Sequence, residues 1–254
     1  MTEPAYLDTP QGRRIAYHLT AGQGPCVVFL GGLKSDMEGT KAVHLEDWAR
    51  AKGRAFLRFD YSGHGHSSGS FDQGCIGDWH EDTLAVVDAL VEGPLIAVGS
   101  SMGGWQALLL ARARPDRLAG LVTIAAAPDF TEDGWWAGFD AAQKAALVRD
   151  GQITLPSDYM EPFLITRRMI EDGRAHLVLR DPLELPFALR MLQGTADTAV
   201  SVATATRLLE HAASPDSQLT LVRDADHRFS DGLCLGLIER AVEEVIALFE
   251  AGDF

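Results

Sequence analysis

Cysteine is scarce in this chain: Cys26, Cys75 and Cys234 are its three thiols in 254 residues, odd in number and far apart. That spacing excludes a disulfide framework and any cysteine-based metal knuckle, and it leads us to expect a reducing compartment, the cytoplasm. Positive charge is short as well. Lys and Arg number 22 against 36 Asp and Glu, and the net charge of −14 argues against nucleic acid or an anionic membrane surface as partner. No apolar stretch approaches the ~20 residues of a membrane-spanning helix. The opening Met1-Thr2-Glu3-Pro4-Ala5 lacks the basic and apolar segments of a targeting signal. Repeats and low-complexity linkers are absent too. What remains is a 46% hydrophobic chain, long enough for one sizeable core and read as a single domain over residues 1–254.

Among what is present, Gly99-Ser100-Ser101-Met102-Gly103 carries the most information. It fits G-x-S-x-G, with an apolar strand at 94–98 before it and a helix marked by Trp105, Leu108, Leu109 and Ala113 after it, ending near Pro115. In that context the pattern is a nucleophile elbow, in which a strained turn presents the serine hydroxyl at the first turn of a helix. Ser101 is the candidate nucleophile, and Ser100 is expected to point into the sheet. An elbow of this kind requires an acid and then a histidine, each in a loop after a later strand. The apolar run 187–193 leads into Gly194-Thr195-Ala196-Asp197, and the strand 218–222 leads into Arg223-Asp224-Ala225-Asp226-His227. Asp197 and His227 therefore fall in the required order. Asp129, after the strand at 118–125, is the alternative acid, whereas Asp224 and Asp226 sit too close to His227 along the chain to face its ring. His64 and His66 lie in a glycine-rich loop before the nucleophile and could line the cleft.

These residue types suit acyl transfer. A serine hydroxyl is a poor nucleophile until a base takes its proton, and an imidazole with an ordinary pKa of about 6.5 suits that task. An acid such as Asp197 would fix the ring tautomer. The oxyanion needs donors, expected from the backbone N–H of Met102 and of Leu33, in the loop Gly31-Gly32-Leu33-Lys34-Ser35 after the third strand. Gly31 stands where a histidine is commoner in that loop, so the register of Leu33 is open.

Elsewhere the chain alternates. A hairpin around Gly12 and Arg13, strands at 26–30 and 55–59, and helices at 38–52, 79–90 and 231–250 imply an α/β fold. Its sheet should be mostly parallel and twisted, with helices on both faces. Residues 128–185 interrupt this core of 1–127 and 186–254, and they carry Trp135, Trp136, Phe139, Tyr159, Met160, Phe163 and Met169. A stretch so long between core strands reads as a helical cap inserted after the sixth strand, over the strand ends where ligands bind. Most of its aromatics should anchor it, with two or three touching substrate.

The segments Phe29-Leu30-Gly31-Gly32, Met37-Glu38-Gly39-Thr40-Lys41-Ala42, Arg58-Phe59-Asp60-Tyr61-Ser62-Gly63, 98–105 and Asp226-His227-Arg228 carry a resemblance over nearly the whole chain. They resemble the α/β-hydrolase group of palmitoyl-protein thioesterases and acyl-glucuronide esterases. The resemblance implies Ser101 as nucleophile, Asp197 as acid and His227 as base, acting on ester or thioester substrates, small molecules or acylated proteins. Two departures stand out: no transit peptide is seen, and Thr198-Ala199-Val200 follows Asp197 without the proline common there. The expected activity is hydrolysis of carboxylic esters or thioesters through an acyl-enzyme, with no cofactor and no metal. Peptide or C–C bond hydrolysis on the same residues, or ligand binding without turnover on the same scaffold, are the alternatives. Ser101 at the elbow disfavours dehalogenase and epoxide-hydrolase chemistry, which place an aspartate there. Arg228 is expected either to meet a substrate carboxylate at the cleft rim or to pair with an acid such as Asp60.

Overall fold

Parallel strands buried on both faces need continuous apolar runs, and the chain supplies them in order. In the computed structural model, which describes residues 3–155 and 162–252, β1 (Ala5–Asp8) and β2 (Arg14–Thr20) form the expected antiparallel hairpin. Then β3 (Gln23–Leu30), α1 (Thr40–Lys52), β4 (Arg54–Phe59), α2 (Ile76–Leu90), β5 (Leu95–Ser100), α3 (Met102–Ala113) and β6 (Leu118–Ile124) alternate. A π-helical turn at Phe130–Trp136, α4 (Ala141–Asp150), β7 (Gln152–Leu155), β8 (Phe163–Thr166) and α5 (Arg167–Ala175) make up the inserted stretch. The core resumes with β9 (Leu183–Glu184), β10 (Leu189–Gly194), α6 (Val202–His211), β11 (Ala212–Ala213), β12 (Ser217–Val222) and α7 (Gly232–Ala251).

The eight-stranded sheet runs β1-β2-β4-β3-β5-β6-β10-β12. It is parallel from β4 onward, while β2 pairs antiparallel with both neighbours. Alternation along β3 shows how it joins two cores. Cys26, Val28 and Leu30 pack with Trp79 and Val86 of α2 and Trp105 of α3, while Val27 and Phe29 pack with Leu45 and Trp48 of α1 and Val242 and Ile246 of α7. From β3 the chain steps to β4 on one side, and from β4 it crosses to β5 on the other. The strand order thus reverses between the carboxyl ends of β3 and β5, the place where open α/β sheets form a crevice.

The insert differs in one respect from an all-helical cap. Gly151, with φ +77°, closes α4 in the left-handed conformation, and β7 and β8 then pair antiparallel as a small sheet of their own. Gln152-Ile153-Thr154-Leu155 alternates polar and apolar residues with the period of a strand, which explains the hairpin. Phe139, Leu147, Ile165, Met169 and Ile170 are buried in the same cluster as the body of the sheet and anchor the insert on it, with Trp135 and Trp136 partly buried against that cluster. Tyr159, Met160 and the side chain of Phe163 lie outside the described residues.

Candidate active site

Ser101 sits between β5 and α3 with φ 55° and ψ −119°, a conformation that an L-residue keeps only when its surroundings enforce it. Its N–H donates to the Ile124 carbonyl at 2.9 Å, and its own carbonyl accepts from Gly104 at 2.9 Å and Ala127 at 3.0 Å. Two glycines make room. A Cβ on Gly99 would lie 2.2 Å from the Gly103 carbonyl oxygen, and one on Gly103 would lie 1.9 Å from the Leu30 carbonyl oxygen. The elbow can therefore press against the end of β3 only because both positions lack a side chain. Ser100, expected to point into the sheet, is buried at the end of β5.

His227, in the loop after β12, brings Nε2 to 3.1 Å from Ser101 Oγ, and its Nδ1 lies 2.8 Å from Asp197 Oδ2. With the proton on Nδ1, the ring donates to Asp197 and accepts from the serine hydroxyl. Asp197, after β10, has a side chain with no solvent exposure. Its Oδ1 accepts from the N–H groups of Ala199 and Val200, both at 2.8 Å, and its Oδ2 accepts from Gln193 Nε2 at 3.0 Å. Burial alone would push this carboxyl up; the bonds from His227, Val200 and Gln193 outweigh it and hold Asp197 below the usual carboxylate range. The turn that a proline commonly shapes after this acid is built here by the two N–H bonds from Ala199 and Val200.

Asp129, the alternative acid, is engaged elsewhere. It is fully buried and accepts from the N–H groups of Val178 at 2.8 Å and Leu179 at 3.0 Å and from Arg180 Nη1 at 3.2 Å. It thus ties the start of the insert to its end. Asp226 accepts from the Phe229 N–H at 3.2 Å, within its own loop.

Met102 opens α3, so its N–H is among the first-turn donors that have no partner inside the helix. Across the crevice, His64 organises the loop that carries Leu33. Its Nδ1 is 3.1 Å from the Ser62 carbonyl and its Nε2 accepts from the Lys34 N–H at 3.1 Å. Burial among Tyr61, Phe71 and Trp79 pushes the His64 ring down to about 4, so it stays neutral and keeps one donor and one acceptor. Asp60, proposed from the sequence as a partner for Arg228, instead accepts from the N–H groups of Met37 at 2.6 Å and His66 at 2.8 Å. His66 lies on the exposed side of that loop, near Glu38.

Lys41 was not singled out by sequence reasoning as a site residue. It reaches from the first turn of α1 to the histidine loop, where Nζ donates to the Arg228 carbonyl and to Ser230 Oγ. One signal was available: a lysine in the first turn of a helix opposes the positive end of the helix dipole, and such local violations often mark function. Gln193 also escaped notice, being an ordinary polar residue inside a strand.

These elements surround a cavity of about 340 Å³. Gly32, Leu33, Ser101, Met102, His227 and Arg228 form its reacting end, and Phe130, Trp135 and Val200 give it an apolar wall. Of the insert's aromatics, Phe130 and Trp135 thus reach the cavity, whereas Trp136 is covered by the cations of Lys144 and Arg174.

A family profile for the alpha/beta hydrolase fold matches residues 27–162, and the chain belongs to that family. Within it, the chain is 33% identical over 244 residues to palmitoyl-protein thioesterase ABHD10, mitochondrial, of Mus musculus, covering 95% of this chain and 82% of that protein. The Bos taurus protein of the same name is 32% identical over 250 residues, with 96% and 80% covered. Among solved structures, a protein of Agrobacterium vitis S4 is similar with a TM-score of 0.93 at 40% identity, covering 96% of this chain and 98% of that one. Alpha/beta hydrolase domain-containing protein 10 from mouse gives a TM-score of 0.90 at 31% identity, with 97% and 99% covered.

Proposed function

We propose that the chain is a serine hydrolase that cleaves carboxylic esters or thioesters through an acyl-enzyme on Ser101. The observation that carries this reading is the hydrogen-bonded chain Asp197–His227–Ser101 at the reacting end of a cavity with an apolar wall. The thioesterase name of the relatives supports the substrate class: a small molecule or an acylated protein.

His227 Nε2 takes the Ser101 proton as Oγ attacks the acyl carbon, and Asp197 stabilises the imidazolium that forms. The oxyanion accepts from the N–H groups of Met102 and Leu33. His227 then gives the proton to the departing alcohol or thiol, and water repeats the sequence to release the acid. A peptide carbonyl is more resonance-stabilised and its amine a poorer leaving group than an alcohol or thiol, so esters and thioesters are preferred to peptides. A cytoplasmic location is part of the proposal and rests on the three scattered thiols, all free and buried.

The test is steady-state hydrolysis of p-nitrophenyl esters and acyl thioesters across a chain-length series, with Ser101→Ala as control. The reading expects turnover that Ser101→Ala lowers by at least about 10³-fold with folding intact. No turnover by the folded protein on any member would favour a binding scaffold instead.

A further inference from the structure

We propose that Lys41 is a positioning residue for this reaction: by bridging the first turn of α1 to the loop that carries His227, it keeps the imidazole in line with Ser101. The inference rests on the hydrolase reading but concerns a residue which that chemistry does not itself require.

The geometry is specific. Lys41 and Arg228 are 187 positions apart, and Lys41 Nζ donates to the Arg228 carbonyl, one residue beyond His227, and to Ser230 Oγ at 3.5 Å. Ser230 Oγ donates in turn to the same Arg228 carbonyl at 2.7 Å. The other end of the bridge is also fixed, because the Met37 N–H donates to buried Asp60 and the Gly39 N–H to the Asp36 carbonyl just before α1. In contrast, His227 itself is held by side-chain bonds at Asp197 and Ser101. The start of the loop is tied down by the Asp224 N–H at Thr195 Oγ1 and the Ala196 N–H at the Ala225 carbonyl, and its end by buried Phe229; Lys41 adds a bond at Arg228, the residue next to the base.

The charged and titratable groups facing Lys41 are Asp226 and Arg228 on the loop and Cys234 on α7. Burial pushes the ammonium down to about 8, with Arg228 acting in the same direction and Asp226 and Cys234 against it. A lysine whose folded value lies below its unfolded one destabilises the fold while it is charged, and the cost disappears as pH rises from about 8 toward its ordinary value. A lysine kept only for stability would be improved by removing its charge. A positioning lysine would be missed in turnover even as stability rises.

Two variants of the full chain, Lys41→Met and Lys41→Arg, separate these roles when assayed beside the wild type on a short neutral p-nitrophenyl ester. Lys41→Met is expected to unfold at the same or a higher temperature, yet to lose kcat by about tenfold or more with KM changed less than about threefold. Lys41→Arg, which keeps a charged donor at this position, should recover part of kcat. Amide hydrogen exchange over residues 226–230 gives a readout independent of turnover, and it should quicken in Lys41→Met. Wild-type kcat in Lys41→Met, or unchanged exchange over that loop, would overturn the inference and leave the hydrolase reading intact. If the wild type itself turns over no ester, the hydrolase reading fails and the exchange measurement still decides whether Lys41 orders the loop.

Discussion

The Lys34 N–H donates to Nε2 of His64 at 3.1 Å, and Lys34 itself has a left-handed backbone with φ 56°. A buried, neutral histidine thus holds the turn that follows Leu33, a residue that lines the cavity. His64→Phe fills the space but removes the acceptor. It is expected to lower kcat by up to about 100-fold, the size of effect of a ~1 Å shift beside the reacting atoms, with a smaller change in KM. Steady-state kinetics on a p-nitrophenyl ester check this, and kcat equal to wild type would remove His64 from the account.

Asp197 and Asp129 offer a paired test of which acid serves His227. Asp197→Asn should fold and lose kcat by about 10⁴-fold, because the amide cannot stabilise the imidazolium or fix its tautomer. Asp129→Asn should stay within about tenfold of wild-type kcat. Asp129→Ala instead lowers stability by on the order of 2 kcal/mol in a urea titration, since the N–H groups of Val178 and Leu179 lose their acceptor in a buried place.

Ser101, Asp197 and His227, which the structure brings together, were legible because each follows a strand-like run: Ile96-Ala97-Val98 in β5, Met191-Leu192 in β10 and Leu219-Thr220-Leu221-Val222 in β12. Element ends were less visible. The second helix begins at Ile76 rather than near Trp79, since no side-chain cap marks its start. The pairing of β7 and β8 was hidden because four-residue strands give a short signal, and their register joins Gln152 to Thr166, well separated along the chain. Lys41, Asp129 and His64 act through backbone groups at Arg228, Val178 and Lys34, and no local pattern announces which distant carbonyl or N–H a side chain will meet.

Acid stability should follow Asp197. Its folded pKa lies below the unfolded one, so its contribution is present above about pH 4 and is lost as pH falls through the lower folded value. Urea midpoints at pH 7 and pH 3 test the sign. Asp197→Asn should be less stable than wild type at pH 7, and the gap should narrow at pH 3; a gap that widens on acidification would show that the carboxylate is not held down in the folded protein.

Reaction with a fluorophosphonate, followed by digestion and peptide mass spectrometry, asks the central question directly. The account predicts one covalent adduct, on Ser101, formed at a rate that falls when His227 is replaced by Ala. An adduct on Ser100, or no adduct in a folded protein that still hydrolyses esters, would contradict it.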